Sequence, residues 1–283
     1  KYFLTQAAAS ALILFAASLN AWLTGQWTIL YPLNSTSTIF ISIAIMVKLG
    51  VAPFHFWLPE VLQGLSLQTG LILSTWQKLA PMALLIQLSQ SVNLTLMLIF
   101  GFLSTLIGGW GGINQTQVRK ILAFSSIAHL GWMVAILKIS PQLTMLNFML
   151  YIIMTSTLFL ILIFMESKNI MQLSTSWPKS PLLVTLSLLS LLSLSGLPPL
   201  TGFLPKWLIA QEMIKQDLTL FAFLILLSTL LSLFFYLRLT YTMSLTLAPN
   251  SAFSPLSWTF KKKNYLSIPT MLTLCLLPIF PYL

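Results

Sequence analysis

Long apolar runs, separated by short clusters of Pro, Gly and polar residues, follow one another along nearly the whole chain. A transmembrane helix needs about 20 mostly apolar residues, and the runs at nine places match that length. The predicted spans lie at 7–24, 38–57, 67–88, 92–110, 121–137, 143–165, 181–211, 218–237 and 265–282. No segment alternates apolar and polar residues with the period of a strand, so the pattern predicts an all-α integral membrane protein of about nine transmembrane helices.

Two of these spans carry helix-breaking residues inside the apolar run. The second span contains Gly50 and Pro53, and the seventh contains Gly196, Pro198 and Pro199. Proline lacks the backbone N–H and its ring clashes with the preceding turn of a helix. We therefore expect two discontinuous helices, broken near 50–53 and 196–199.

The residues around the two breaks repeat each other at an offset of 146 positions. The pattern Gly-x-x-Pro-x4-Leu-Pro begins at Gly50 and again at Gly196. Paired, interrupted spans are typical of transporters built from inverted repeats, although Gly and Pro are common enough in membrane helices for a chance match to be the alternative. The sequence thus predicts one membrane domain with an antiporter-like, inverted-repeat core. Its predicted parts are a first repeat in 1–90 that lacks its upstream helices, a second repeat in 91–245, and a loop with a C-terminal helix in 246–283.

Composition agrees with this picture and excludes a soluble domain. Hydrophobic residues make up 57% of the chain and charged residues 6%, whereas soluble proteins carry about 25% charged residues. The 14 Lys and Arg residues outnumber the 4 Asp and Glu residues. These cations are isolated apart from a run of three at 261–263, so they do not predict a nucleic-acid partner.

Most cations mark one side of the membrane. Two of them, Lys138 and Lys215, fall on the side opposite the N-terminus. The side of the N-terminus receives Lys1, Arg119, Lys120, Lys168, Lys179, Arg238, Lys261, Lys262 and Lys263. Because positive loops stay in the compartment from which a protein is inserted, the N-terminal side is predicted to face that compartment.

Three lysines, Lys48, Lys78 and Lys206, lie inside spans and are not explained by topology. A cation at bilayer depth costs at least about 2.5–3.5 kcal/mol and normally faces a protein interior or a water-filled path. Snorkelling towards the headgroups is the alternative for each. Since burial disfavours the charged form of an amine and a nearby carboxylate favours it, a buried lysine can take up and release a proton. Arginine stays protonated, so the choice of lysine is consistent with proton transfer.

His129 is the fourth candidate for a proton path, because it stands in the middle of the 121–137 span and imidazole titrates near neutral pH. A histidine that merely hydrogen-bonds between helices is the alternative. His55 and Glu60 flank the end of the second span and are weaker candidates, as ordinary interface residues occur there too. The single cysteine, Cys275, excludes an intrachain disulfide and a Cys-ligated cluster within this chain.

Four long motifs stand out along the chain. They are KLGVAPFHFWLPEV at 48–61, TWQKLAP at 75–81, WGGxNQT at 110–116 and GLPPLTGFLPKW at 196–207. With these motifs the chain resembles, over essentially its whole length, the antiporter-like, proton-pumping subunits of vertebrate mitochondrial NADH:ubiquinone oxidoreductase (respiratory complex I).

The resemblance implies a multi-pass subunit of the mitochondrial inner membrane that is similar to subunits of Mrp-type cation/proton antiporters. By match to the motifs, Lys48 would be the lysine of the central broken helix, Lys78 the next member of a polar axis, and Lys206 the lysine near the exit. His129 would lie between the two half-channels. Partners would be other membrane-arm subunits and lipids, with NADH, FMN, iron–sulfur clusters and ubiquinone bound by other subunits and no cofactor by this chain. The side carrying Lys1 would face the matrix.

One departure concerns the carboxylate that pairs with the first lysine in this family. It belongs to a helix upstream of Lys1, and this sequence has no Asp or Glu before Glu60. We therefore expect an N-terminally incomplete sequence. Two other functions stay open at this point: a stand-alone cation/proton antiporter, which would require carboxylates deep in a span, and a non-pumping structural subunit of the membrane arm.

Overall fold

A computed structural model describes residues 1–27, 34–177, 181–245, 270–271 and 273–274. In these residues the chain is helical, apart from turns, connecting loops and an isolated β-bridge between Gln117 and Asn169. The helices are α1 (Tyr2–Thr24), α2 (Ser35–Leu49), α3 (Trp57–Gly64), α4 (Leu67–Ser74), α5 (Trp76–Gln87), α6 (Leu94–Ile113), α7 (Val118–Ile136), α8 (Pro141–Met165), α9 (Ile170–Ser174), α10 (Pro181–Ser195), α11 (Phe203–Lys215) and α12 (Thr219–Leu245).

Four of the described helices, α1, α6, α8 and α12, are each long and apolar enough to cross a membrane. The predicted number of nine spans is therefore not confirmed. The other predicted spans correspond to shorter, interrupted or less apolar helices, and the span at 265–282, with Cys275, lies almost entirely outside the described residues.

The two predicted helix breaks are present. α2 ends at Leu49 and is followed by Gly50 in the left-handed region, with φ 75°, before α3 begins. α10 ends at Ser195 and is followed by Gly196, with φ 83°, before α11 begins. The bounds of α2 and α10 and the first residues of α3 and α11 all differ by 146 positions. The two broken helices thus share one local architecture, whereas the division of the chain into inverted repeats stays a prediction.

A third interruption divides the span predicted as continuous at 67–88. α4 ends at Ser74, Thr75 has distorted right-handed helical angles of φ −114° and ψ −69°, and α5 follows. The Thr75 hydroxyl donates to the carbonyl of Leu71 (2.8 Å), a back-bond that bends helices. The backbone N–H of Lys78 donates to the carbonyl of Thr75, only three residues before it. The carbonyl of Ser74, four residues before Lys78, instead accepts a hydrogen bond from the Tyr151 hydroxyl (3.4 Å).

The helix α7 forms the centre of the bundle, because every residue from Ser125 to Ile136 is buried. Its closest partner is α6, and small residues permit the approach. A Cβ atom added to Gly131 would lie 2.2 Å from the Ser104 hydroxyl oxygen, and one added to Gly101 would lie 2.7 Å from the Ala135 Cβ. The packing therefore fixes the residues of α7, including its one histidine, in the interior of the protein.

Candidate functional site

Lys78 lies in the first turn of α5 with 3% of its surface exposed. Its ammonium nitrogen donates to the hydroxyl of Tyr151 on α8 (3.1 Å) and stands 5.1 Å from the centroid of the same ring. A cation over the face of an aromatic ring is stabilised by the ring quadrupole. The partner of this buried amine is thus a neutral tyrosine.

Lys48 lies in the last turn of α2, directly before the break, and is half-buried. It lines a cavity together with Lys78. The cavity has a volume of about 20 Å³, which is room for a single water molecule. The other residues in its wall are Tyr2, Gln6, Leu49, Trp57, Leu73 and Gln77. The two lysines predicted from the sequence therefore share one small, partly polar space.

The break after α2 is stabilised by polar side chains that occupy its freed carbonyl groups. The indole N–H of Trp57, from α3, donates to the carbonyl of Val47 (3.1 Å). The amide of Gln6, from α1, donates to the carbonyl of Lys48 (3.4 Å). Since an unpaired carbonyl at membrane depth is costly, these bonds explain how an open helix end persists next to Lys48.

His129 lies on the central helix α7 and is buried. Its ring centroid is 5.6 Å from that of Tyr151, and a ring nitrogen faces the carbonyl of Leu194 in the last turn of α10. Both Lys78 and Lys206 lie within electrostatic range of the imidazole. The histidine therefore occupies the position between the two lysines.

Lys206 lies in the first turn of α11, and its ammonium nitrogen donates to the carbonyl of Ser195 (2.7 Å), the last residue of α10. The C-terminal end of a helix carries unsatisfied carbonyls and a partial negative charge. Gly196 makes the contact possible, because a Cβ atom at that position would lie 2.8 Å from the lysine nitrogen. The second break thus forms a binding site for the lysine cation.

A second cavity, of about 10 Å³, lies between His129 and Lys206. This volume is at the lower limit for one water molecule. The remaining lining residues are Thr105, Ala128, Trp132, Thr229, Ser232 and Tyr236. Hydroxyl groups from α6 and α12 therefore surround the space that joins the imidazole to the ammonium group.

The side chains form a line from Lys48 to Lys206 whose two ends are half-buried and whose centre is buried. It runs from Lys48 through the first cavity to Lys78, across Tyr151 to His129, and through the second cavity to Lys206. We call this set the lysine axis. Its members are groups that can hold and pass protons, and it brings together the four main candidates from the sequence.

Carboxylates lie away from the lysine axis. In the described residues the salt bridges are Lys1–Glu60 and Lys215–Glu212, whose lysines have 70% and 61% of their side-chain surface exposed. Neither pair involves a lysine of the axis. Across residues 1–27, 34–177 and 181–245 we also find no group of three potential metal-ligating residues.

The two weaker candidates lie outside the walls of both cavities. His55 is buried in the break between α2 and α3, with its ring 4.3 Å from that of Phe56. Glu60 is exposed on α3, where it pairs with Lys1. A role for either in proton transfer therefore stays a hypothesis that this geometry does not favour.

Sequence reasoning missed Tyr151, Tyr236 and the carbonyls of Leu194 and Ser195. A signal for Tyr151 was present, because Asn147, Tyr151 and Thr155 recur at intervals of four residues within an apolar span, and all three are buried on α8. Polar residues on one stripe of an apolar helix indicate a face turned to the protein interior. The two carbonyls follow from the break and need the fold to be seen.

Some charged residues at the helix ends can be located relative to one another. Arg119, Glu166 and Lys168 line one surface pocket with the connection between α3 and α4, so these groups share a side. Lys138 donates to the carbonyl of Val92 at another turn (2.6 Å). Lys179 and Lys261 lie outside the described residues. Which side faces the matrix stays a prediction.

Comparison with known proteins first defines the class. The family described as the NADH:quinone oxidoreductase/Mrp antiporter transmembrane region matches residues 1–232. Respiratory complex I from Thermus thermophilus with bound aureothin contains a chain with a TM-score of 0.83 at 27% identity, over 99% of this chain and 67% of that one. The Mrp complex from Dietzia sp. gives 0.77 at 18% identity, over 88% and 51% of the two chains, which indicates a common fold. The protein is thus an antiporter-like membrane protein.

The particular family follows from closer relatives. Residues 233–283 match the C-terminal region of NADH dehydrogenase subunit 2. The NADH-ubiquinone oxidoreductase chain 2 of Xenopus laevis is 61% identical over 99% of this chain and 82% of its own length. The chain belongs to the NADH-ubiquinone oxidoreductase chain 2 family, which confirms the resemblance found in the motifs.

Proposed function

We propose that the chain is a membrane-arm subunit of NADH:ubiquinone oxidoreductase and carries protons along the lysine axis while electrons pass from NADH to ubiquinone elsewhere in the complex. The observation that carries the proposal is the line of Lys48, Lys78, His129 and Lys206, joined by two water-sized cavities and one tyrosine. Family membership supports the assignment to the complex.

The hydrogen-bond partners of the axis suit reversible protonation. Lys78 donates to a tyrosine hydroxyl and Lys206 to a backbone carbonyl, and both acceptors are neutral. A proton can leave such a site without exposing a buried carboxylate, whereas breaking a buried ion pair leaves an uncompensated charge. Each lysine can therefore be loaded and unloaded without rearranging an ion pair.

Electrostatic repulsion links the groups of the axis. Two positive charges about 6 Å apart repel each other by about 3 kcal/mol at an effective dielectric constant of about 20. That energy changes an equilibrium by about a factor of 100. Protonation of one group therefore favours release of the proton from its neighbour. In this way a charge change at one end of the axis can move a proton at the other end.

The second break supplies hydrogen-bond acceptors to two members of the axis. The carbonyl of Ser195 holds the Lys206 cation, and the carbonyl of Leu194 faces His129. One helix end thus supplies acceptors to two neighbouring titratable groups. When the proton passes between them, the favourable interaction with the helix end is retained.

Direction, location and partners complete the proposal. Quinone reduction in other subunits alters the charge near one end of the axis, and protons move from the matrix side, which carries Lys1 and Arg119, towards the intermembrane side of the mitochondrial inner membrane. NADH, FMN, iron–sulfur clusters and ubiquinone belong to other subunits, and this chain works without a cofactor of its own. Its neighbours are other membrane-arm subunits and lipids.

The test is Lys206→Met in the assembled complex, reconstituted in vesicles, with the proton-to-electron ratio as readout. Lys215→Met is the matched control, since Lys215 lies on the same helix, exposed, and pairs with Glu212. We expect a lower ratio for Lys206→Met and an unaltered ratio for Lys215→Met. An unaltered ratio in both assembled variants would support a structural subunit. Sodium–proton exchange by the isolated chain would support a stand-alone antiporter. The carboxylates of the two salt bridges lie away from the axis, which does not favour that function.

A further inference from the structure

Tyr151 is a completely buried side chain of α8 whose hydroxyl group contacts Lys78, Ser74 and Ser126. Its hydroxyl oxygen accepts a hydrogen bond from the Lys78 ammonium group (3.1 Å), and its O–H donates to the carbonyl of Ser74 (3.4 Å). That carbonyl is available at the interruption between α4 and α5, where Lys78 itself bonds to Thr75. The Tyr151 hydroxyl, which contacts Lys78, is thus itself bonded to the interruption between α4 and α5.

The ring of Tyr151 has a titratable group on each side. The Lys78 nitrogen lies 5.1 Å from its centroid, and the His129 ring lies 5.6 Å from it with an interplanar angle of 44°. The Tyr151 side chain thus contacts one titratable group through its ring face and another through ring packing. Tyr151 therefore lies between Lys78 and His129.

We propose that Tyr151 is a positioning residue that holds the ammonium group of Lys78 and sets the conditions under which it exchanges a proton with His129. The inference rests on the function proposed above and adds a residue to it.

The hydrogen-bond directions explain how this works. Because the hydroxyl hydrogen is directed to the Ser74 carbonyl, an oxygen lone pair of Tyr151 is available to accept from Lys78. Such a group fits an ammonium donor. A charged donor makes a stronger hydrogen bond than a neutral one. The contact with the Tyr151 oxygen therefore stabilises the protonated form of Lys78 more than the neutral form, and its loss eases release of the proton.

The test compares Tyr151→Phe, which keeps the ring and removes the hydroxyl, with Tyr241→Phe, which removes a hydroxyl from an exposed tyrosine of α12. The proton-to-electron ratio of the reconstituted complex is measured across pH. A hydrogen bond to a charged group corresponds to about one to two pH units. We expect the ratio of Tyr151→Phe to begin falling at a pH about one to two units lower than in the unaltered complex, and Tyr241→Phe to retain the original profile.

A third variant, Lys78→Met, separates this inference from the function on which it rests. If Lys78→Met leaves the ratio unaltered at every pH, the proposed function itself fails. If Lys78→Met lowers the ratio while Tyr151→Phe matches Tyr241→Phe, the role of Tyr151 is overturned and the axis stands. Loss of assembly in Tyr151→Phe but not in Lys78→Met would also overturn it, since the hydroxyl would then be needed for folding.

Discussion

Gly196→Ala tests whether the second break positions Lys206. Gly196 adopts φ 83°, where a residue with a Cβ atom costs about 1–2 kcal/mol more than glycine. The new Cβ atom would also lie 2.8 Å from the Lys206 nitrogen and 3.0 Å from its Cδ atom. The lysine must move, and its 2.7 Å hydrogen bond to the Ser195 carbonyl is then lost. A hydrogen bond to a charged group contributes about 1.5–3 kcal/mol.

Gly25→Ala is the matched control, because Gly25 ends α1 with a similar φ of 74° but a Cβ atom there would meet none of the described atoms within 4 Å. Backbone strain is thus common to both variants, at about 1–2 kcal/mol. Displacement of a lysine occurs in Gly196→Ala alone. We expect both variants to reduce the amount of assembled complex, and Gly196→Ala to reduce it more than Gly25→Ala does.

The decisive assay is the proton-to-electron ratio of whatever complex assembles. We expect a lower ratio for Gly196→Ala and an unaltered one for Gly25→Ala. Equal ratios in the two variants would refute the reasoning, since they would mean that the contact between Lys206 and the end of α10 has no part in proton transfer.

Two further predictions concern packing and the surface. Gly131→Val would bring its Cβ atom to 2.2 Å from the Ser104 hydroxyl. Overpacking of this kind costs about 1–3 kcal/mol, so we expect less assembled complex on a blue-native gel. Gly64→Ala is the control, because a Cβ atom there meets open space, and it should assemble normally. Glu60→Gln removes an exposed ion pair with Lys1, and since such pairs contribute about 0–1 kcal/mol, the variant should keep its assembly and its proton-to-electron ratio; a lowered ratio would assign Glu60 to the proton path after all.

Elements of the fold that depend on local chemistry were predictable. The breaks at Gly50 and Gly196 followed from proline and glycine inside apolar runs, and the family followed from four motifs. The interruption at Thr75 was missed, because a threonine in an apolar run is usually tolerated and its back-bond to Leu71 is visible only in three dimensions.

The four main residues of the lysine axis could be predicted from the sequence, but the contacts between them could not. An ammonium group at membrane depth is conspicuous in a sequence, so Lys48, Lys78 and Lys206 could be selected without a structure. The acceptors of Lys78 and Lys206 could not, since they are a tyrosine hydroxyl and a backbone carbonyl, neither of which is conspicuous in a sequence as a carboxylate would be.

The most direct test of the central claim is the proton-to-electron ratio of the double variant Lys78→Met with Lys206→Met, compared with each single variant. If both lysines belong to one path in series, blocking the path once is enough, so the double variant should have the same lowered ratio as either single one. A double variant that loses the sum of the two single losses would contradict a single axis, because independent sites contribute additively.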